Sequence, residues 1–335
     1  MLTWRRTFNK SHQYSAYGLR PPDVPDGPPL CFALYSTHRG YAMTLFKPDS
    51  GDQSDAYRNL RDADWNAPLR AFAEQLWEKF GAHAEPAFID ELSRAFHQRF
   101  WEMYVGCGLL NVGLIPEPKP PAGPDFKIQT DRVIWIEATV PMAGTGADAV
   151  PDFASGEAQK VPVEKILLRL RGAIEDKHRK YLGYLEKGIA SPDDCFVIAV
   201  NGGLIPHSIL ESDPPRIVSA LFPLGERFVT IDRNTVEVID AGFRYRGQVT
   251  KHSGSEVPTT LFTSDDYRYI SAVLYSNSDA GNHPPAVSNV GSDFIVIYNP
   301  FARNPIPGGV LPSGREYVVE NEHLVCRTAE AQRVV

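Results

Sequence analysis

Two carboxylates stand out in residues 123–141, GPDFKIQTDRVIWIEATVP. Asp125 follows the turn-forming pair Gly123-Pro124, and Glu137 sits near the end of the β-branched and aromatic run Val133-Ile134-Trp135-Ile136. Such a run reads as a buried strand, where a lone carboxylate is costly unless a cation meets it. DFKIQT reads as a short strand before it, with a turn at Thr130-Asp131 between the two. If those strands pair, Asp125 and Glu137 converge at one edge. Two carboxylates at close range repel, and an all-oxygen ligand set suits a hard ion such as Mg²⁺, or Mn²⁺ in its place. Such an ion polarises a phosphoryl oxygen and lowers the pKa of a bound water, so phosphodiester hydrolysis is within reach of these residue types. Structural roles compete with this one. Asp125 alone reads as an Asx turn after Pro, and Glu137 as the partner of Arg132 or of a helix lysine.

The elements that must position the acids are legible on either side. Residues 66–80 are predicted helical, and so are 86–110, where Pro86 suits a first turn and Phe88, Leu92, Phe96 and Phe100 form an apolar stripe. Glu102 lies on that second helix. Residues 161–188 make the strongest helical pattern, with Gly188 as its C-terminal cap. Ile166, Leu170 and Ile174 step by four along one face, and Lys177 and Tyr181 continue it. A lysine on an apolar stripe either snorkels to water or wants a carboxylate. CFVIAVNGG (195–203) reads as a buried strand. The order across 86–203 is helix, strand, strand, strand, helix, strand, with the first strand short (VGLIP, 112–116). That is an α/β arrangement around a mixed central sheet flanked by helices.

Both ends elaborate this core. PPDVPDGPP (21–29) is a turn or linker, LCFALYST (30–37) reads as a strand, and 40–48 is its candidate partner. Residues 1–85 are expected to be an N-terminal extension packed on the 86–203 core. Residues 204–335 are expected to be a β-rich region, with strands in RIVSALF, RFVTID, TVEVIDAGF, YRYISAVLYS, DFIVIYNP and EYVVE.

Pro124-Asp125, eleven residues, then Glu137-Ala138-Thr139 at the end of a hydrophobic strand resembles the motif of the PD-(D/E)XK, or restriction-endonuclease-like, nuclease superfamily. The order of elements over 86–203 is similar too, and the resemblance covers about a third of the chain. It implies a restriction-endonuclease-like core and Mg²⁺- or Mn²⁺-dependent cleavage of nucleic acid, DNA being favoured over RNA. It also implies metal ligands at Asp125, Glu137 and the Ala138 carbonyl, with Glu102 as the acid that many members carry on the preceding helix. The chain departs from the motif at Thr139, where the family has a lysine. Lys177, four residues before Tyr181, resembles the migrated lysine or Gln-x-x-x-Tyr pattern of some members, and is expected to reach the site from the helix. Arg179, Lys180 and Tyr181 are then candidate nucleic-acid contacts. A homodimer is open, since many relatives that cut duplexes pair.

Composition sets limits on partners. The formal net charge is −7, which does not suit a general polyanion binder. The balance is local, though: residues 157–188 hold eight Lys or Arg against five acids, and Arg5, Arg6, Lys10 and Arg20 face no acid in 1–20. A catalytically inactive nuclease-fold protein, acting as a nucleic-acid-binding or protein-interaction module, is therefore the alternative. Cys31, Cys107, Cys195 and Cys326 are scattered and expected to be reduced thiols. No signal-like start and no membrane-length apolar run is evident, so a cytoplasmic protein without a membrane partner is expected.

Overall fold

Alternation in Phe126–Gln129 (β1) and the near-continuous apolar run Val133–Thr139 (β2) fold as an antiparallel pair, with Phe126 opposite Ile136. The computed structural model describes residues 44–118, 120, 122–154, 156, 158–210 and 212–328. The expected linker at 21–29, the strand at 30–37, the start of its partner and the basic residues of 1–20 lie outside these. Four helices precede β1: α1 (Asp55–Asp62), α2 (Ala67–Phe80), α3 (Phe88–Arg94) and α4 (Phe96–Asn111). After β2 the chain crosses over through α5 (Val163–Glu186), which Gly188 ends at φ +66° while its N–H returns to the Leu185 carbonyl. It then enters β3 (Cys195–Asn201), parallel to β2.

The sheet does not stop at residue 203. After α6 (Arg216–Leu221) come two small antiparallel pairs, β4 (Leu224–Ile231) with β5 (Val238–Tyr245) and β6 (Gln248–Thr250) with β7 (Glu256–Pro258). Four more strands then join the first three: β8 (Ala272–Ser276), β9 (Ile295–Tyr298), β10 (Arg315–Glu320) and β11 (His323–Thr328). The result is a seven-stranded mixed sheet in the order β1-β2-β3-β8-β9-β10-β11. Much of the 204–335 region thus extends the sheet begun at β1, and the boundary drawn at 203/204 falls between two neighbouring strands of it.

Period-two alternation decides what each face meets. Ile134, Ile136 and Ala138 pack with Val197 and Ala199 against α1–α4, while Trp135, Ile198 and Val200 pack against α5 and α6. Leu45 and Tyr57 belong to the first cluster, so the described part of the N-terminal extension is packed on the sheet layer. Each fully buried Leu or Phe in these clusters contributes roughly 1.5–3 kcal/mol. Glu137 has the parity of Trp135 and faces the α5 side.

Four local expectations change. The helix drawn over 86–110 breaks at Ala95, whose φ −118° and ψ 53° are not helical; Ser93 Oγ turns back onto the Asp90 carbonyl in the preceding turn. RIVSALF is the helix α6, not a strand. Its run of six buried residues fits either state by apolarity, and Pro215 at its start suits a helix entry. The short first strand at 112–116 is reduced to a single bridge between Pro116 and Ile128, because the prolines that follow remove ladder donors. Residues 44–48, the described end of the proposed partner strand, form no strand.

Candidate active site

The register of β1 on β2 places Asp125 one step beyond the Phe126–Ile136 pair, beside Glu137. Asp125 is tied to β2 there, since the Ala138 N–H donates to Asp125 Oδ2 at 2.8 Å. Asp125 is half-buried and Glu137 is 2% exposed. Glu137 is met from α5. Lys177 Nζ and Lys180 Nζ both donate to Glu137 Oε1, each at 2.7 Å. Residues three apart share a helix face, so one carboxylate can take both ammonium groups. Lys177 is the more enclosed, with 21% of its side chain exposed against 48% for Lys180. Burial pulls the Lys180 pKa down, but the bond and charge of Glu137 outweigh it and the net shift is upward. The other carboxylate oxygen, Glu137 Oε2, is buried with no hydrogen-bond partner among the described residues.

The opposite wall comes from the α3–α4 break. α4 is anchored to the sheet by Trp101 Nε1, which donates to the Ala199 carbonyl at 3.0 Å. One turn earlier, Gln98 Nε2 reaches the Ala138 carbonyl at 3.2 Å. Glu102, 3% exposed, accepts from Arg99 Nη1 at 2.5 Å. Arg99 is shared among three carboxylates, since Glu85 lies 3.0 Å from Nη1 and Glu91 bonds Nη2. Asp125, Glu137, Lys177, Lys180 and Glu102 all line one cleft of about 400 Å³, with Gln98 and Arg94 on its rim. It opens where the two helical layers meet at the end of β2.

Sequence reasoning named Asp125, Glu137, Glu102 and Lys177, and the fold brings all four into this cleft. Lys180, expected as a nucleic-acid contact, sits inside it on Glu137. Tyr181 is not at a surface. It is 1% exposed and stacks on Phe196 with ring centroids 3.9 Å apart, because it continues the buried stripe of Ile174. Arg179 is exposed and paired with Asp176 at 3.1 Å, away from the cleft lining. Gln98 and Arg99 were missed. Their signal was available: both lie within four residues of Glu102 on α4, where i and i+3 or i+4 residues share a face.

Among the described residues no three His, Cys, Asp or Glu side chains gather closely enough to form a metal site by themselves. A divalent ion here would take two carboxylates, a main-chain carbonyl and water, a set that Mg²⁺ accepts because it keeps several waters. The buried, partnerless Glu137 Oε2 beside Asp125 fits that requirement. Among the described residues no helix is long and apolar enough to cross a membrane. No protein-family model matches the chain, and no curated protein or solved structure is significantly similar to it, so the geometry of this cleft is what speaks to function.

Proposed function

We propose that the protein is a metal-dependent nuclease with an atypical PD-(D/E)XK-like site, hydrolysing phosphodiester bonds in nucleic acid, DNA rather than RNA. One observation carries the reading. Glu137 is buried at the end of a core strand, takes two lysines on one oxygen, has no donor to the other among the described residues, and stands beside Asp125 across the strand pair. A purely structural carboxylate has no need of that arrangement, since an orphaned buried oxygen costs about 1–3 kcal/mol.

Asp125, Glu137 and the Ala138 carbonyl would hold Mg²⁺ or Mn²⁺, with Glu102 on the far wall acting directly or through water. Bound there, the ion supplies Lewis-acid polarisation of the phosphoryl oxygen and acidifies water. The chain's own residues do the rest. Lys177, which reaches Glu137 from α5, would supply the charge of the motif's strand lysine, whose position Thr139 holds here, and stabilises the negative charge that builds on the phosphoryl oxygens. Gln98 holds the Ala138 carbonyl in place from α4.

The test is cleavage of plasmid, single-stranded DNA and RNA with Mg²⁺ or Mn²⁺, wild type beside Asp125→Asn. Cutting that needs the ion and drops on the order of 10³-fold in the variant is the expected result, because a Lewis acid supplies several kcal/mol to such a transition state. A folded wild type that cuts none of the three would transfer the site to the inactive-module reading, which the Thr139 departure and the net charge of −7 favour.

A further inference from the structure

The cations of the cleft have no charge to spare. Among the described residues four carboxylates line it, at Glu91, Glu102, Asp125 and Glu137, and four cations, at Arg94, Arg99, Lys177 and Lys180. Each cation is already engaged. Arg99 is held by Glu85, Glu91 and Glu102. Lys177 and Lys180 share Glu137 Oε1. Arg94, on the rim, faces Asp52 at 3.5 Å. A phosphate backbone approaching this balanced surface gains little, since its affinity comes from lysines and arginines that neutralise it. The chain's net charge of −7 adds no long-range attraction.

One exchange inside the cleft would change this. Among the described residues Glu137 is the only acid shared by these two α5 lysines, and its second oxygen has no hydrogen-bond partner. Once a cation takes up the charge of Glu137, the lysines lose the carboxylate they share, and Lys180 keeps only its contact with the Tyr184 ring among the described residues. They then become two ammonium groups on one helix face, 21% and 48% exposed, pointing into an open cleft. We propose that the protein binds its nucleic-acid substrate only after a divalent cation, and that Lys177 and Lys180 are the switch, moving from Glu137 to the substrate's phosphates. The proposal rests on the nuclease reading and adds to it an order of binding and a substrate-binding role for both lysines. In this scheme Glu137 masks the phosphate-binding lysines until an ion arrives, which keeps an acidic protein off nucleic acid while its metal is missing.

The sharpest consequence is that neutralising Glu137 should replace the ion. Fluorescence anisotropy with labelled duplex DNA, single-stranded DNA and RNA oligonucleotides, in EDTA and in Ca²⁺, reads this without any turnover. Wild type should bind in Ca²⁺ and fail in EDTA. Glu137→Gln should bind in EDTA, with a gain on the order of tenfold per lysine contact at ~0.1 M salt and a salt slope steeper by roughly 1.8, about 0.9 for each phosphate contact. Adding Lys177→Met and Lys180→Met to Glu137→Gln should remove that binding. Wild type that binds equally well in EDTA overturns the switch, and so does a folded Glu137→Gln that stays unbound in EDTA. If Glu137→Gln does not fold, the wild-type salt slopes with and without Ca²⁺ carry the same decision. Mn²⁺ binding to wild type, followed by electron paramagnetic resonance, separates the two layers of the argument. Ion binding without any nucleic-acid binding defeats the switch alone, whereas neither defeats the switch and the nuclease reading together.

Discussion

Two glutamates of the same sheet are equally buried and very differently kept. Glu137 on β2 and Glu316 on β10 are each 2% exposed. Glu316 Oε1 accepts from the Tyr298 hydroxyl at 2.9 Å, the Gly309 N–H at 2.9 Å and Ser313 Oγ at 3.1 Å. Those donors come from the adjacent strand and from the turn leading into β10, so the carboxylate ties its own neighbourhood together. Tyr298 registers the cost: burial, and then the nearby Glu316 charge, push its hydroxyl pKa upward. Glu137 instead draws two long flexible cations from a separate helix onto one oxygen and leaves the other bare at a cleft. Burial of a charge therefore does not mark function by itself. The kind of partner does, because fixed local donors make a permanent bond and mobile ammonium groups make an exchangeable one.

Removing each carboxylate tests that contrast most strongly. Glu316→Leu strands a tyrosine hydroxyl, a main-chain N–H and a serine hydroxyl, and is expected to lower stability by roughly 3 kcal/mol, read from the denaturant midpoint. Glu137→Leu releases lysines that reach water and deletes an orphaned oxygen, so its cost should stay under about 1 kcal/mol, as for a partly exposed ion pair. Equal losses at the two sites would break the comparison and make Glu137 a structural anchor. The cleavage assay should rank them the other way, with Glu316→Leu active wherever it remains folded.

The two lysines sharpen the contrast on a smaller scale. Both stand 2.7 Å from Glu137, but Lys177 is the more enclosed and Lys180 leans over the Tyr184 ring at 5.6 Å. Lys177→Met is expected to lower kcat by about 10²-fold, the lower end for loss of one preorganised charge-stabilising donor. Both changes should weaken substrate binding and raise KM, while Lys180→Met should leave kcat nearly unchanged. A reversed order would move the charge-stabilising role to the outer lysine.

How much of this was written in the sequence differs along the chain. The acids were legible because each breaks a local rule: Glu137 interrupts a core strand, and Asp125 follows a turn-forming Pro at the right distance. Lys177 was legible as the odd member of an apolar helical stripe. The inward turn of Lys180 was not, because a residue at the edge of a stripe reads as solvated until its partner's position is known. Tyr181 was given to the surface on a motif, although the same stripe carries it into the core. The Arg99–Glu91 and Tyr298–Glu316 bonds span 8 and 18 positions, separations that neither helical nor strand periodicity reads. In the fold, α5 followed from a long, strongly periodic run, and β2 and β3 from near-continuous apolar runs. α6 was missed because a short, mostly apolar buried run fits helix and strand alike, and β11 because its half-buried residues, followed by exposed Arg327 and Thr328, show no clean alternation.

His178 offers the smallest test and the most selective one. It lies between Lys177 and Lys180 in sequence but on another face of α5, 8% exposed, its ring 5.0 Å from that of Tyr267. Its Nε2 is, like Glu137 Oε2, buried without a hydrogen-bond partner among the described residues. It borders a different cavity of about 360 Å³, beside Arg171 and Asp266. If an orphaned buried atom sufficed to mark the active site, His178→Leu would impair cleavage. The geometry predicts unchanged cleavage and an altered pH dependence of stability. Burial lowers the His178 pKa from its ordinary 6.5, and the Glu175 charge opposes this only in part. The neutral imidazole is then the form that the fold prefers, so its share of stability is complete above pH 6.5 and is lost as pH falls below that value. His97, also lowered by burial, acts in the same direction and stays in the background of both proteins. Denaturant midpoints of wild type and His178→Leu, compared between pH 7 and about 5, should therefore show the shallower decline in the variant. Parallel declines would mean that the imidazole charges without penalty. The cavity beside it would then have to admit water, and an unpartnered nitrogen there would be no measure of desolvation at all.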